Sequence, residues 1–174
     1  MQKTEIRIAG LGGQGVVLAG QILGRAAAYG GQNVVQTQSY GAEARGSGAK
    51  SEVIVSRSRI GFPMVRKCDV LIAMSQEAVE NNIKDLKDNG TLLVDSSNVQ
   101  KTPITRAKIK KIPATKIAEE QVGEKLTANM VMLGAVVATI KIVDKASMEK
   151  AIGDILPEKA RAPNIEAFKI GLES

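Results

Sequence analysis

The fold that this sequence predicts is decided by the stretch Ile8-Ala9-Gly10-Leu11-Gly12-Gly13-Gln14-Gly15-Val16-Val17-Leu18-Ala19-Gly20. A short apolar run, interrupted by Arg7, leads into Gly10, Gly12 and Gly15, which have the spacing G-x-G-x-x-G. Such glycines let the backbone turn tightly from a strand into a helix, and the N-terminus of that helix offers N–H groups to an anion. The motif predicts a strand–loop–helix unit with a phosphate-binding loop. The alternative is a tight turn that binds nothing.

The remainder of the chain alternates between short apolar strands and helical segments, which is typical of an α/β protein. We therefore predict a single Rossmann-like α/β domain over residues 1–174, with a mostly parallel sheet flanked by helices. The predicted strands are residues 5–9, 33–38, 51–56, 69–74 and 91–94, with an edge strand within 104–112. The predicted helices are residues 14–29, 76–87, 114–122, 128–143, 148–155 and 158–172.

The composition excludes several kinds of chemistry. The 174 residues include no His, no Trp and a single Cys, so the chain holds no Ser–His or Cys–His catalytic pair, no His-based metal site and no four-cysteine cluster of its own. The 24 Lys and Arg against 18 Asp and Glu give a net charge of +6, which favours an anionic ligand or an acidic subunit. Aromatic residues make up only 2% of the chain and long basic runs are absent, so we do not expect nucleic acid binding.

The same residues indicate a cytoplasmic protein that does not span a membrane. The longest apolar stretch, residues 128–143, is short and contains Asn129, Thr139 and Lys141. The N-terminal residues lead into the first strand without a signal-like apolar segment, and the lone Cys68 fits a reducing compartment. We expect Cys68 to be an ordinary buried cysteine and Asp95 to be a turn residue.

A dinucleotide-binding function lacks its usual acidic residue. An Asp or Glu about 20 residues beyond the glycines normally holds the ribose hydroxyls, whereas this chain has Gln36-Thr37-Gln38-Ser39 at the end of the second predicted strand. The Gly-Lys-Ser/Thr of a nucleoside triphosphate loop is absent as well. The glycine motif therefore predicts an anion site without the NAD contact.

A second candidate region is the predicted long loop from Ser39 to Lys50. It contains Tyr40, Glu43 and Arg45, and a surface loop with a Glu43–Arg45 pair is one interpretation. The other places the loop beside the glycines, at the carboxyl ends of the strands, where open α/β sheets bind ligands. Arg45 and Lys50 would then supply positive charge to a phosphate or a partner subunit.

Residues 10–16 together with residues 38–46 resemble the gamma subunit of 2-oxoacid:ferredoxin oxidoreductases. The resemblance continues through residues 51–56, Pro63, residues 69–74, residues 113–115 and residues 128–134, and so covers nearly the whole chain. The run Gln38-Ser39-Tyr40-Gly41 is more similar to the 2-oxoglutarate or branched-chain type than to the pyruvate type. Ser47 stands where the family usually has a second glycine after its Arg-Gly pair.

The resemblance implies a non-catalytic subunit that contributes to coenzyme A binding and to assembly. It implies alpha, beta and ferredoxin-like delta partner subunits, which carry thiamine diphosphate and iron–sulfur clusters. The complex implied by the resemblance decarboxylates a 2-oxoacid to an acyl-CoA and reduces ferredoxin. We expect backbone and amide donors from Gly12, Gly13 and Gln14, a positive charge from Arg45, and no metal ligands. The full set of candidate binding residues is Gly10, Gly12, Gly13, Gln14, Gly15, Ser39, Tyr40 and Arg45.

Three alternatives remain open at this point. The complex would act on pyruvate or 2-oxoisovalerate in one of them. In the second, the chain is a free-standing NAD(P)- or flavin-dependent oxidoreductase, which the residues after the second strand disfavour. In the third, it is a purely structural subunit whose glycine loop contacts only protein.

Overall fold

The computed structural model describes residues 3–41 and 48–174, and a six-stranded sheet forms its centre. The strands are β1 (Lys3–Leu11), β2 (Asn33–Tyr40), β3 (Gly48–Ser56), β4 (Cys68–Ala73), β5 (Leu86–Asp95) and β6 (Lys108–Ile112). They lie in the order β2-β3-β1-β4-β5-β6. Strands β1, β4, β5 and β6 pair in parallel, and β3 pairs antiparallel with both of its neighbours. Five strands therefore run in one direction, and the predicted α/β class with a mostly parallel sheet is confirmed.

The helices cover the two faces of the sheet unequally. Four helices and the larger apolar core lie on one face, whereas one short helix and a smaller core lie on the other. The first group comprises α1 (Val16–Tyr29), α4 (Ala128–Ile140), α5 (Lys145–Ile155) and α6 (Glu158–Leu172), and the second face carries α2 (Gln76–Asn82). A short α3 (Ala114–Ile117), continued by a π-helical turn at Ala118–Val122, connects β6 to the segment before α4. Among the described residues, no helix is long and apolar enough to cross a membrane.

Close helix contacts at glycines hold this arrangement together. Helix α1 lies over the β2–β3 hairpin, and a Cβ at Gly20 would collide with the side chain of Ser51. Helices α4 and α6 approach so closely that a Cβ at Gly134 would meet the backbone of Phe168, and one at Gly171 would meet the backbone of Val131. Bulkier residues would force these layers apart, because protein interiors are tightly packed.

Several predicted boundaries are wrong: α4 ends at Ile140 rather than at 143, and α5 begins at Lys145 rather than at 148. The largest errors concern α2 and the loop 39–50. Helix α2 ends at Asn82 rather than at Lys87 and is followed by a 3-10 turn, so that β5 begins at Leu86 and contains Gly90. The backbone oxygens of Asp69 and Lys87 lie within 3 Å of a Cβ placed on Gly90, and only glycine allows that approach. The predicted loop 39–50 is shorter at both ends, because Ser39 and Tyr40 extend β2 and residues 48–50 begin β3.

Candidate functional site

The glycine loop lies between β1 and α1, at the carboxyl edge of the sheet. Gly13 and Gly15 have φ angles of 89° and 71°, which side chains strongly disfavour. A Cβ on Gly10 would lie 2.6 Å from Oε1 of Gln14 and 2.9 Å from Val16. Three of the predicted glycines are thus required by backbone geometry or by space, and the loop ends at the exposed N–H groups that begin α1.

Gln14 braces this loop from within. Its Oε1 accepts a hydrogen bond from the backbone N–H of Leu11 at 2.7 Å, and its Nε2 donates to the carbonyl of Met74 at 3.0 Å. Its backbone N–H also donates to the carbonyl oxygen of Leu11. These bonds tie the loop to the end of β4, so the side chain of Gln14 holds the loop in shape in addition to any contact with a ligand.

Asn129 holds the same loop from the opposite side. This side chain is 2% exposed and belongs to the first turn of α4. Its Nδ2 donates to the carbonyl of Gly15 at 3.1 Å, and its Oδ1 accepts from the backbone N–H of Met130 at 2.9 Å. The sequence predicts only a helix over residues 128–143, and no local pattern marks Asn129 as a contact of a loop more than a hundred residues away.

A groove of about 550 Å³ opens beside the glycine loop on the face that carries α2. We call it the hairpin groove, because the end of β2 and the start of β3 form one of its walls. Its lining includes Gly10, Ser39, Tyr40, Lys50, Ser75 and Asn81. In the sheet register, Gly10 lies opposite Ala49, and Ala49 lies opposite Tyr40. The prediction that the ends of the long loop lie next to the glycines is therefore confirmed for the described residues.

The hairpin groove combines an exposed aromatic ring with charges of both signs. Tyr40 is 64% exposed, and Nζ of Lys50 lies 3.9 Å from Oε1 of Glu52, a distance that leaves the ammonium free to reach a ligand. Glu77 of α2 contributes a negative charge to the rim. The predicted contributions of Glu43, Arg45 and Ser47 lie outside the described residues.

A smaller opening of about 190 Å³ lies on the other side of the glycine loop. Gly13, Gln14 and Lys125 contribute to its walls, together with Asn98 and Thr115. The glycine loop therefore separates two cavities.

Asp95 supports the smaller opening as a structural residue. This fully buried carboxylate accepts hydrogen bonds from the backbone of Ser97, from Nδ2 of Asn98, and from both the backbone and the hydroxyl of Thr115. Its lone pairs are occupied by protein donors, so the expectation of a turn-forming Asp95 is confirmed. The bonds join the end of β5 to α3.

The position of β2 gives a second reason for the missing ribose contact. Strand β3 lies between β1 and β2, so residues 36–39 are displaced from the glycine loop by one strand. Gln36 uses its Nε2 to donate to the hydroxyl of Ser51 at 3.0 Å. Both the residue type and the strand order thus disfavour the binding mode of NAD.

A buried ionic cluster lies under α2 and centres on Arg7, the charge that interrupts the first apolar run. The side chain is 4% exposed, and it contacts Glu52 at 2.7 Å, Asp85 at 2.7 Å and the carbonyl of Val65 at 3.2 Å. Burial lowers the pKa of Arg7, but the hydrogen bond and charges of Asp85 and Glu52 outweigh it and raise the pKa. Burial alone would raise the pKa of Asp85. The hydrogen bond and the charge of Arg7 outweigh burial, so the pKa of Asp85 is lowered. The cluster is a stabilising element beneath the hairpin groove.

Cys68 is buried, as predicted. Its thiol is fully covered and lies 3.5 Å from the carbonyl of Asp85. Burial raises its pKa to about 11 despite the charge of Arg7. Within residues 3–41 and 48–174, Cys68 and the acidic side chains form no group of three that could hold a metal ion.

Comparison with known proteins agrees with this architecture. The sequence pattern of the family described as pyruvate ferredoxin/flavodoxin oxidoreductase matches residues 5–174. The chain is 48% identical to 2-oxoglutarate synthase subunit KorC of Methanocaldococcus jannaschii over 98% of this chain and 93% of the relative. It is 33% identical to ketoisovalerate oxidoreductase subunit VorA of Methanothermobacter marburgensis, covering 87% of this chain and 32% of that longer one.

Solved structures extend the likeness to the fold. The gamma subunit of a keto/oxoacid ferredoxin oxidoreductase from Geobacter sulfurreducens superimposes with a TM-score of 0.87 at 43% identity, covering 98% of this chain and 96% of that one. A 2-oxoglutarate:ferredoxin oxidoreductase from Magnetococcus marinus shares the fold with a TM-score of 0.89 at 24% identity, over 99% of this chain and 31% of that one. From its sequence match and its fold, this chain belongs to the pyruvate ferredoxin/flavodoxin oxidoreductase family, as a small subunit of a multi-subunit 2-oxoacid oxidoreductase.

Proposed function

We propose that this chain is the gamma subunit of a cytoplasmic 2-oxoglutarate:ferredoxin oxidoreductase and that it contributes to coenzyme A binding. The similarity to KorC at 48% identity, against 31% to pyruvate synthase subunit PorC of Methanothermobacter marburgensis, supports 2-oxoglutarate over pyruvate. Alpha, beta and delta subunits would supply thiamine diphosphate and iron–sulfur clusters, since the single cysteine of this chain cannot hold a four-cysteine cluster.

The hairpin groove beside the glycine loop is the observation that carries the coenzyme A proposal. Its volume of about 550 Å³ suits part of a large anionic cofactor, and Gly10 and Leu11 at the start of the glycine loop line it. Tyr40 offers a ring for the adenine, and Lys50 offers an ammonium within reach of a phosphate. The Magnetococcus marinus enzyme of the same fold has coenzyme A and succinyl-CoA bound.

In this proposal the chain binds and orients the cofactor, and chemistry takes place on other subunits. The backbone N–H groups of Gly12 and Gly13 would reach a phosphate at the smaller opening, which Gly13 lines, while Gln14 and Asn129 keep the loop in its conformation before the ligand arrives. Such preorganisation reduces the entropy cost of binding. Arg45 remains the proposed additional cation of the site.

Steady-state kinetics of the assembled complex test this proposal. We expect Lys50→Met, Tyr40→Ala and Arg45→Ala each to raise the KM for coenzyme A about tenfold, with a smaller change in the KM for 2-oxoglutarate, because a charged hydrogen bond contributes about 1.5–3 kcal/mol. Arg25→Met, on the exposed face of α1, is the matched control. An unchanged KM for coenzyme A in all three variants would restrict this chain to a structural role.

Substrate identity is tested separately with the wild-type complex. We expect kcat/KM for 2-oxoglutarate to exceed that for pyruvate and for 2-oxoisovalerate by at least tenfold. A preference for either of the other acids would overturn the assignment of the substrate and leave the coenzyme A proposal standing.

A further inference from the structure

The loop between β3 and β4, residues 57–67, has the composition of a protein-binding surface. It contains Arg57, Arg59, Arg66 and Lys67 and no acidic residue. Two large apolar side chains near its middle remain in solvent, with Phe62 49% exposed and Met64 60% exposed. We call residues 57–67 the crossover loop, because they connect β3 to β4 across the edge of β1.

The crossover loop is anchored although it has no regular secondary structure. Val65 is 6% exposed, and its carbonyl accepts a hydrogen bond from Nη2 of the buried Arg7 at 3.2 Å. Lys67 donates from Nζ to the carbonyl of Lys84. The guanidinium carbon of Arg66 lies 4.9 Å from the centroid of the Phe62 ring. These contacts hold the exposed apolar side chains in place, which reduces the entropy lost on binding.

A groove of about 320 Å³ runs along this loop, and its charge is positive. Lys3, Arg66, Lys67 and Lys87 line it together with Phe62 and Met64. Glu5 is its single acidic lining residue, and it is already paired with Lys3 and Lys87 at 3.3 Å each. An arginine stacked on an aromatic ring, beside an exposed methionine, is the composition of an interface hot spot, and the surrounding charge selects an acidic partner.

This groove is separate from the proposed coenzyme A site. It lies at the start of β1, whereas the glycine loop follows the end of the same strand at Leu11. Eight residues of extended chain separate the two by roughly 26 Å.

We propose that the crossover loop docks an acidic surface with an apolar centre on another subunit of the same complex. In VorA, the region that matches this chain is 32% of a longer polypeptide, so the remainder of that protein is permanently attached to it. As a subunit of a multi-subunit complex, this chain contacts its neighbours through non-covalent surfaces as well, and permanent interfaces bury large apolar side chains. The inference rests on the subunit role and is independent of coenzyme A binding.

Photo-crosslinking in the intact complex identifies the occupant of the groove. Met64 is replaced by the photoreactive amino acid p-benzoylphenylalanine, and Lys159, exposed on α6, is replaced in the same way as the control position. We expect an adduct from position 64 to a peptide rich in Asp and Glu on a different subunit. An adduct to a second copy of this chain, or no adduct above the level at position 159, would overturn the proposal.

Substitutions then separate the apolar and charged contributions. Phe62→Ala/Met64→Ala should weaken association of this chain with the purified remaining subunits by at least tenfold, while Ile104→Ala/Ile109→Ala, two exposed apolar residues elsewhere, should change it less than twofold. Arg66→Glu should weaken association about tenfold and reduce its salt dependence, with Arg25→Glu as the control of equal charge.

The thermal midpoint and the KM for coenzyme A are measured on the same variants. Each variant should keep a thermal midpoint within about 2 °C of wild type, because the replaced side chains are exposed. Complexes that still assemble at high protein concentration should keep the wild-type KM for coenzyme A. Wild-type association in both loop variants would refute the docking surface without affecting the proposed function.

Discussion

Asn129→Ala tests whether the glycine loop depends on a residue of a distant helix. The change removes the hydrogen bond from Nδ2 to Gly15 and leaves the buried N–H of Met130 without its acceptor. The carbonyl of Gly15 keeps a second bond from the backbone N–H of Ala19 at 2.9 Å, so the larger cost comes from Met130. One lost hydrogen bond costs about 1 kcal/mol and an orphaned buried donor about 1–3 kcal/mol, so we expect a total loss of about 2–4 kcal/mol.

Thermal and denaturant unfolding of the subunit measure this loss. For a chain of this length, about 2–4 kcal/mol corresponds to a fall of roughly 4–16 °C in Tm. Asn164→Ala is the matched control, because Asn164 makes a single hydrogen bond to Ala160 one turn earlier in its own helix and is only half-buried. A Tm for Asn129→Ala that equals the Tm of the control would refute the bracing role.

A double-mutant cycle with Gly15→Ala isolates the contact itself. A Cβ at Gly15 would collide with the amide of Asn129, so part of the cost of Gly15→Ala arises from that clash and part from the positive φ. In the Asn129→Ala background the clash disappears and only the backbone strain remains. We expect Gly15→Ala to be at least about 1 kcal/mol less destabilising there, and strict additivity would contradict the geometry.

Two substitutions and one labelling experiment test the buried contacts. In denaturant titrations, Gly171→Ala should lower the free energy of unfolding by more than about 2 kcal/mol, because the new Cβ would meet the backbone of Val131. The control Gly153→Ala should be neutral or stabilising, because the space around Gly153 is open. Arg7→Met should cost about 2–3 kcal/mol by leaving the partly buried carboxylates of Glu52 and Asp85 without their cation. Arg7 lowers the pKa of Asp85 below its unfolded value of about 3.9. The pair therefore stabilises the fold above that pH, and the stabilisation is lost as the pH falls through the folded pKa. Unfolding curves taken at successive pH values should show that Arg7→Met lacks this part of the acid sensitivity. Cys68 should react with iodoacetamide at pH 8 at least a hundredfold more slowly in the native protein than in denaturant, because burial raises the pKa of its thiol to about 11. Rapid labelling of the native protein would contradict that burial.

The sequence predicted the parts of the fold that depend on local signals. The glycine spacing placed the β1–α1 turn correctly, and the continuous apolar run of residues 69–74 predicted the central strand β4. Helix α6 begins at Glu158 and ends at Leu172 as predicted, with Pro163 in its interior. Such features are encoded within a few residues of where they appear, so periodicity and stop signals are enough to find them.

Features that depend on strand pairing were harder to predict. The helix predicted over residues 76–87 is shorter because Lys87 pairs with Asp69 at 2.8 Å and β5 adds residues 86–90 beside the start of β4. Helical composition favoured the wrong assignment, and tertiary contacts overrode it. The bracing by Asn129 was missed for the same reason. Arg7 did carry a visible signal, since a charge within an otherwise apolar strand requires a buried partner.

The reversed strand β3 explains why a glycine motif of the dinucleotide type occurs here without a dinucleotide contact. In the doubly wound arrangement, β2 would lie beside β1 and end in the acidic residue that binds ribose. Here β3 occupies that place, and its register sets Lys50 opposite Ala9, at the position where β1 enters the glycine loop. An ammonium therefore stands near the place of the ribose-binding carboxylate, and an ammonium favours an anion where a carboxylate favours a sugar hydroxyl. The same reversal brings the start of β3 and the end of β2 beside Gly10, so one change of strand direction places both Lys50 and a wall of the hairpin groove.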